Sequence, residues 1–211
     1  MSRTRPTVTV SYAQSIDGSI ARVRGEPLRL SSDESMVMTH RLRAEHDAIL
    51  VGVGTVLADD PRLTVRLVEG ENPQIVLLDS RLRCPVGARV MDGRPIIVTT
   101  MAADAGRAKA LETAGATIVR VEMDETQRVD LQKMLVKLGE RNIKSVMVEG
   151  GAQTIASFFT AQLVDKVVIT IAPLFVGGLN VMDELQSGAH LVDVTIDQCK
   201  DDLILRGFVR F

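Results

Sequence analysis

The sequence predicts an α/β fold in three layers, with a mixed β-sheet between helices on both of its faces. Short apolar runs rich in Val and Ile alternate with helical patterns through most of the chain, which is typical of this class. These runs are continuously apolar, so both faces of the sheet are expected to be covered. Residues 192–211 contain two further strand-like runs with no room for a helix between them, and they predict an antiparallel hairpin.

The predicted elements follow one another along the chain. Seven strands are expected at 7–12, 48–51, 74–78, 95–99, 117–121, 145–148 and 166–171. Four helices fit between them at 32–45, 104–113, 128–139 and 152–160. The first helix follows the capping sequence Ser31-Ser32-Asp33-Glu34, and the second ends before a glycine. The hairpin is expected to pair residues 192–198 with 203–211 and to close one edge of the sheet.

Length and composition indicate a single globular domain, 1–211. The chain has 211 residues, of which 45% are hydrophobic. A net charge of −2 and only 3% aromatic residues argue against nucleic acid as a partner. The longest uncharged run, 167–182, contains Pro173 and is too short for a membrane helix, so no membrane partner is expected. The two cysteines and the lack of an apolar signal segment predict a cytoplasmic protein.

The most informative local motif is a strand that runs through Glu149 into Gly150 and Gly151, followed by a helix. Two glycines let the backbone approach a ligand closely, and a helix N-terminus offers N–H groups to an anion such as a cofactor phosphate. A plain tight turn between strand and helix is an equally good interpretation. Glu149 is unusual in either case, because a carboxylate at the carboxyl end of such a strand faces the ligand crevice of an open sheet.

A second junction follows the second predicted strand and contains Gly52, Gly54, Thr55 and Asp59. It lacks the third glycine of the dinucleotide-binding GxGxxG pattern. A helical turn would place the Thr55 hydroxyl and the Asp59 carboxylate on one face. The alternative is a capped turn that ends at the following proline.

Basic residues surround this second junction. They are Arg41, Arg43, Arg62, Arg66, Arg81 and Arg83. A guanidinium group is the preferred partner of a phosphate, so the cluster suggests a phosphorylated small molecule, with ordinary surface arginines as the alternative. The histidines His40, His46 and His190 lack metal-binding spacing, so structural roles and no metal are predicted. GxSxG and Walker motifs are missing from the sequence, which favours a site that orients a reactive cofactor.

Several segments of the chain resemble the reductases of riboflavin biosynthesis, which occur alone or as the C-terminal half of a bifunctional deaminase-reductase. The matching segments are 11–18, 42–66, 77–81, 148–151, 172–173 and 177–178, in family order. The longest of them contains the sequence GVGTVLADDP. The resemblance implies a dihydrofolate-reductase-like fold, a homodimer and NADPH as the cofactor.

The resemblance also implies roles for individual residues. Cofactor contacts are expected at Ala13, Thr55, Asp59, Ser80, Gly150, Gly151, Ala152, Gln153, Thr154 and Ile155. Substrate contacts are expected at Arg43, Leu63, Arg66 and Glu149. These assignments agree with the interpretation of the residues themselves, in which arginines hold a substrate phosphate and the glycine turn holds a cofactor phosphate.

The implied activity is NADPH-dependent reduction of the ribosyl group of 5-amino-6-(5-phosphoribosylamino)uracil, or of its 2,5-diamino-pyrimidinone precursor, to the ribityl form. The ribosylamine would open to an imine that accepts hydride at C1′, and Asp59 and Glu149 are the catalytic candidates for proton transfer. Unperturbed carboxyls titrate near about 4, so an acid at neutral pH needs a raised pKa. The alternatives are a reductase of another heterocycle, such as a pterin or dihydrofolate, and a non-catalytic nucleotide-binding module.

The chain departs from the family pattern in two places. Ser11 stands where many bacterial members carry a lysine. Residues 25–30 lack a Trp that is common there, and with Pro27 to Arg29 in this segment, Arg29 is expected to face the site. Both departures leave open whether the preferred pyrimidine is deaminated. The H-x-E and P-C-x-x-C motifs of a zinc-dependent deaminase are missing, so no deaminase domain is expected.

Overall fold

The computed structural model describes residues 5–23, 26, 28–182 and 188–211, so Pro27 of the departing segment lies outside the described residues. The helices are α1 (Asp33–Ala44), α2 (Val53–Asp59), α3 (Ala105–Thr113), α4 (Leu131–Gly139) and α5 (Ala152–Thr160). The strands are β1 (Thr7–Ser15), β2 (Ser19–Ala21), β3 (Ala48–Gly52), β4 (Gln74–Leu78), β5 (Ile96–Thr100), β6 (Thr117–Val121), β7 (Ser145–Glu149), β8 (Lys166–Ala172), β9 (Leu179–Asn180), β10 (His190–Cys199) and β11 (Asp202–Arg210). A short 3-10 helix spans Arg89–Gly93.

Nine strands form one mixed sheet in the order β10-β11-β8-β1-β7-β3-β4-β5-β6. From β8 to β6 every neighbouring pair is parallel. Strand β11 runs antiparallel to β8 and forms a hairpin with β10 at the edge of the sheet. Strands β3 and β5 are buried along their whole length, as continuous apolar runs between two helical layers should be. The predicted mixed sheet and its C-terminal hairpin are therefore confirmed.

Helices cover both faces of the sheet and complete the predicted three layers. Helices α4 and α5 pack on one face, where Phe158 is fully buried in the larger apolar cluster. Helices α2 and α3 pack on the other face, where Leu111 belongs to the second cluster. Helix α1 also covers this second face, and His46 just beyond its end contacts the Thr9 hydroxyl of β1 at 3.0 Å. In the described part of the chain, no helix has the length and apolar character needed to cross a membrane.

Side-chain caps fix where three of the helices begin. Ser32 accepts a hydrogen bond from the N–H of Ser35 and starts α1, and Asp104 caps α3 in the same way. The prediction that the third helix begins at Arg128 is wrong. Asp130 is the N-cap, and α4 begins at the residue that follows it, Leu131. The strand expected at 95–99 is also displaced by one residue, to Ile96–Thr100.

The short elements α2, β2, β9 and the 3-10 helix lie outside the predicted set; at α2 the sequence predicts either a helical turn or a capped turn, and the helical alternative is the one observed. Strands β2 and β9 pair antiparallel in a second, two-stranded sheet. The Asp17 carboxylate ties the two segments together, because it accepts the Gly177 N–H at 2.7 Å, the Val176 N–H at 3.1 Å and the Ser19 hydroxyl at 2.9 Å. These elements are too short to show a hydrophobic period, and they are held by contacts between distant segments.

Candidate active site

The candidate active site lies at the carboxyl edge of the parallel strands, the usual ligand position in an open α/β sheet. A cavity of about 1640 Å³ opens there between the ends of β1, β3, β4 and β7. Pockets for one small ligand measure about 300–1,000 Å³, so this cavity has room for two ligands. Its wall includes every residue expected to contact the cofactor: Ala13, Thr55, Asp59, Ser80, Gly150, Gly151, Ala152, Gln153, Thr154 and Ile155.

The glycine turn between β7 and α5 allows a ligand to approach the backbone closely. Gly150 and Gly151 both have a φ of 80°, a region that favours glycine. A Cβ on Gly151 would lie 3.0 Å from the Thr55 hydroxyl oxygen, so a side chain at this position would press on Thr55. Gly151 is also the N-cap of α5 and supplies no side-chain cap. The first N–H groups of α5 therefore have no partner within the helix and suit an anion.

Helix α2 places Thr55 and Asp59 on the wall of the same cavity, four residues apart as expected. Gly52 is the N-cap of α2, and a Cβ there would collide with the hydroxyl of Thr154, so α2 and α5 approach each other at their N-termini. Asp59 is exposed at the end of α2, yet partial burial of its carboxyl raises its pKa above the ordinary value. The Asp59 carboxyl makes no hydrogen bond to the described part of the chain, so it is available to a ligand.

An ion pair connects the strand before the glycine turn to α1. Nε and Nη2 of Arg43 donate to the two carboxylate oxygens of Glu149 at 2.8 and 2.5 Å, and Nη1 donates to the Thr64 carbonyl at 3.0 Å. The two side chains are 7% and 22% exposed. A bidentate pair of this kind fixes the orientation of both groups. Of the two, Glu149 lines the cavity and Arg43 supports it from α1.

The remaining two expected substrate residues lie on the segment that follows α2. Leu63 is buried and has a φ of 55°. Arg66 is exposed, and partial burial of its guanidinium together with the charges of Arg43, Arg62 and Arg89 lowers its pKa. These mutually repelling cations suit an anionic ligand such as a phosphate. Arg66 interacts electrostatically with Glu149, but neither Leu63 nor Arg66 belongs to the cavity wall.

Ser80 follows the end of β4 and lines the cavity. Several hydrogen bonds fix the position of this turn. The carboxylate of buried Asp79 accepts the Cys84 N–H at 2.7 Å and closes the turn after the strand. The Ser80 carbonyl accepts the Thr100 hydroxyl at 3.0 Å, and its own hydroxyl accepts the Val129 N–H at 3.4 Å. Three arginines line the same cavity: Arg81, Arg83 and Arg128.

Strand β1 contributes Ser11, Tyr12 and Ala13 to the wall. Ser11 is nearly buried and stands beside Glu149 in the sheet register. Ala13 pairs with a residue of β8 and presents only a methyl group. Burial raises the pKa of Tyr12 to about 12, so its phenol stays protonated and is not a base at neutral pH. The small side chain of Ala13 allows a flat ring to approach the strand.

The expectation that Arg29 faces the site is wrong. Its side chain is 67% exposed and forms an ion pair with Asp33, four residues later, in the first turn of α1. A carboxylate at this spacing is a natural local partner, and it draws the guanidinium toward solvent. Glu26 and Leu28 of the same segment line the cavity instead.

His40 and His46 make structural contacts and His190 is exposed, which agrees with the prediction of structural roles or exposure to solvent, and His40 also contacts the backbone of Arg66. The ring of His46 contacts the Leu42 carbonyl at 2.6 Å as well as β1. His40 accepts the Arg66 N–H at 2.8 Å, a link that sequence reasoning missed. The available signal was its spacing of three from Arg43, which puts both on one face of α1. In the ranges that the structure describes, no group of three or more His, Cys, Asp or Glu is arranged to hold a metal ion.

Comparison with known proteins decides the family. Residues 6–205 match the family model described as the RibD C-terminal domain. The chain belongs to this family. A relative from Archaeoglobus fulgidus, named 2,5-diamino-6-ribosylamino-4(3H)-pyrimidinone 5′-phosphate reductase, is 39% identical over 184 residues, which cover 82% of this chain and 83% of the relative.

Solved structures agree with membership of the RibD C-terminal domain family. The riboflavin biosynthesis reductase Rib7 of Saccharomyces cerevisiae has a TM-score of 0.81 and 29% identity, with 100% of this chain and 92% of that chain covered. Dihydrofolate reductase from Enterococcus faecalis has a TM-score of 0.55 and 12% identity over 96% of each chain, a likeness of fold alone. The predicted family and the dihydrofolate-reductase-like α/β fold are confirmed.

Proposed function

We propose that this protein is an NADPH-dependent reductase of riboflavin biosynthesis that reduces the ribosyl group of a phosphoribosylamino-pyrimidine to the ribityl form. The observation that carries the proposal is the large cavity whose wall contains the glycine turn and the uncapped start of α5 together with Asp59 and Glu149. The name of the Archaeoglobus relative supports the 2,5-diamino-pyrimidinone as the preferred substrate. The deaminated 5-amino-6-(5-phosphoribosylamino)uracil is its competitor.

The cavity wall fits a nicotinamide dinucleotide. Residues 150–155 would hold the diphosphate with backbone N–H groups, and Ala13 would lie against the nicotinamide. When bound, the cofactor supplies the hydride that reduces the substrate. The cationic wall residues Arg81, Arg83 and Arg128 favour NADPH over NADH, because a guanidinium group binds the additional phosphate of NADPH well.

Asp59 is the better of the two candidates for proton transfer during opening of the ribosylamine. Both carboxylate oxygens of Glu149 already accept hydrogen bonds from Arg43, which suits an orienting role toward the substrate. The Asp59 carboxyl is not engaged by the described residues, and its raised pKa keeps more of it protonated at a given pH. We therefore assign proton donation to Asp59 and substrate orientation to Glu149.

The substrate phosphate would bind at the cation cluster around Arg66. Three donors of Arg43 are already occupied by Glu149 and Thr64, whereas the Arg66 guanidinium makes one hydrogen bond, to the Thr64 hydroxyl at 3.1 Å. Arg66 therefore has donors to spare for a phosphate, and Arg43 acts mainly by fixing Glu149.

We also propose that the protein forms a homodimer through the C-terminal hairpin. Strand β10 is an edge strand of the sheet and carries exposed apolar side chains, with Val194 46% and Ile196 62% exposed. Edge strands with apolar surface favour pairing with another copy. Sedimentation equilibrium tests this: dimeric wild type and monomeric Ile196→Asp are expected. The cytoplasmic location and the expected lack of nucleic-acid and membrane partners stay predictions.

The decisive experiment measures loss of nicotinamide absorbance when the purified protein and NADPH meet each pyrimidine in turn, with dihydrofolate in a parallel reaction. Turnover of the 2,5-diamino-pyrimidinone is expected, with slower turnover of the deaminated form. Turnover of dihydrofolate but of neither pyrimidine would show that the protein is a reductase of another heterocycle. If NADPH binds but is not oxidised in any of these reactions, the protein is a non-catalytic nucleotide-binding module.

A further inference from the structure

His40 occupies an unusual position on α1. It is fully buried, and its Nδ1 accepts hydrogen bonds from the backbone N–H groups of Arg66 at 2.8 Å and Leu67 at 3.4 Å. A nitrogen that accepts hydrogen bonds carries no proton, so the imidazole is neutral with its proton on Nε2. Nε2 is buried and has no hydrogen-bond partner among the described residues. The ring is therefore held through one nitrogen only.

The segment that His40 contacts depends on side chains for its position. It lies between α2 and β4 and belongs to neither a helix nor a strand. Two side chains of α1 hold its backbone: Arg43 donates to the Thr64 carbonyl at 3.0 Å, and His40 accepts from the N–H groups of the next two residues after Val65. Within the segment, Asn72 accepts the Val65 N–H at 2.7 Å, and at its start Asp60 donates its N–H to the Val56 carbonyl of α2 at 3.0 Å. Of these, the His40 contact is the one made to the Arg66 backbone itself.

We propose that His40 is a positioning residue that, as a neutral imidazole, fixes the backbone of Arg66 so that its guanidinium meets the substrate phosphate. This inference rests on the proposed function and adds a part to it, because His40 touches neither ligand. A displacement of about 1 Å in a group that orients the substrate costs up to about 100-fold in activity. Loss of the Nδ1 acceptor should therefore weaken binding of the phosphorylated substrate.

The same geometry makes the contact sensitive to acid. Protonation puts a hydrogen on Nδ1, where it faces two N–H donors, and the segment is released. The charged groups that face His40 are Arg43 on its own helix, Arg66 on the segment and Glu149 on β7. Burial and the two arginines lower the pKa of His40, while Glu149 raises it. The net direction is downward, so the contact is intact at neutral pH and is lost as the pH falls.

Two variants of similar size distinguish the role of the Nδ1 acceptor from the role of the rest of the imidazole ring. His40→Asn keeps an oxygen close to the position of Nδ1, whereas His40→Gln places its amide near Nε2 and removes the acceptor. His40→Gln is expected to raise the KM of the pyrimidine by about tenfold, with kcat and the KM of NADPH little changed. His40→Asn should stay near wild type. An equal rise in both variants, or an equal fall in kcat, would overturn the proposal.

Hydrogen exchange of the Arg66 and Leu67 amides gives a readout that does not need turnover. Protection is expected in wild type and in His40→Asn at neutral pH, and its loss is expected in His40→Gln and in wild type at acid pH. Unchanged protection in His40→Gln would refute the positioning role. If wild type reduces neither pyrimidine, the proposed function has failed, and inorganic phosphate then serves as the probe. Greater phosphate protection of these amides in wild type than in His40→Gln supports the proposal, and equal protection refutes it.

Discussion

Two parts of the candidate site present their binding groups in different ways. At the glycine turn, the groups offered to a ligand are backbone N–H groups at the start of α5, exposed because Gly150 and Gly151 adopt a positive φ. In the group of residues around the Arg43–Glu149 ion pair, the binding groups are side chains. Arg43 comes from α1, Glu149 from β7, 106 residues later, and Arg66 from the segment between α2 and β4.

This difference separates two kinds of sensitivity to mutation. A site made of backbone tolerates changes in neighbouring side chains but does not tolerate an added Cβ where the chain turns. A site made of paired side chains fails when one partner is removed, because the other charge stays behind without compensation. Three predictions test this contrast, in order of decreasing effect.

Arg43→Met should have the largest effect, because it leaves the Glu149 carboxylate partly buried and unpaired. We expect the free energy of unfolding to fall by about 3 kcal/mol. With the orienting carboxylate displaced, kcat/KM should fall by about 1,000-fold. Urea unfolding and steady-state kinetics measure the two effects.

Arg29→Met is the matched control, since it breaks the exposed pair with Asp33 and should cost about 0.5 kcal/mol or less. The double variant Arg43→Met/Glu149→Gln should recover stability without recovering activity. Similar losses of stability in Arg43→Met and Arg29→Met would show that the buried pair has no special role.

Asp59→Asn should have the next largest effect, a fall of about 100-fold in kcat, because a general acid contributes about that much. The pH dependence of kcat tests this role directly. A proton donor works in its protonated form, so wild-type kcat should fall as the pH rises through the raised pKa of Asp59. In Asp59→Asn this descending limb should disappear.

The neighbouring carboxylate provides the control for this change. Asp60 accepts the Arg89 N–H at 2.8 Å and does not line the cavity, so Asp60→Asn should keep both kcat and the pH profile. If Asp59→Asn keeps the wild-type rate or the descending limb, Asp59 is not the proton donor and another group has that role.

Gly151→Ala should have the smallest effect of the three and should act on the cofactor. A residue with a Cβ at a φ of 80° is strained, and its Cβ would press on the Thr55 hydroxyl. We expect the KM of NADPH to rise by about tenfold. Gly87→Ala is the control, because a Cβ there meets nothing within 4 Å and the residue lies outside the cavity. Equal KM values for the two variants would argue against close approach of the cofactor at the turn.

The contrast between the backbone groups of the glycine turn and the paired side chains also explains what the sequence could predict. The bounds of β4, β6 and α5 were predicted to the residue, because apolar runs and glycine stops are local signals. The glycine turn is likewise a local motif. The Arg43–Glu149 pair and the His40 contact join residues far apart in the chain, so no local pattern announces them. The prediction for Arg29 failed because a nearby opposite charge outweighed the distant site.

The position of β1 has a consequence for how the chain folds. Strands β3, β4, β5 and β6 are neighbours in chain order and need only short connections. Strand β1 precedes β3 to β6 in the chain, yet its partners in the sheet are β7 and β8, which are synthesised after all four of those strands. Closing so long a loop is slow, so we expect a β3–β6 nucleus to form first and β1 to enter the sheet late. Because β1 and β7 form part of the cavity wall, the active site is then completed at the end of folding.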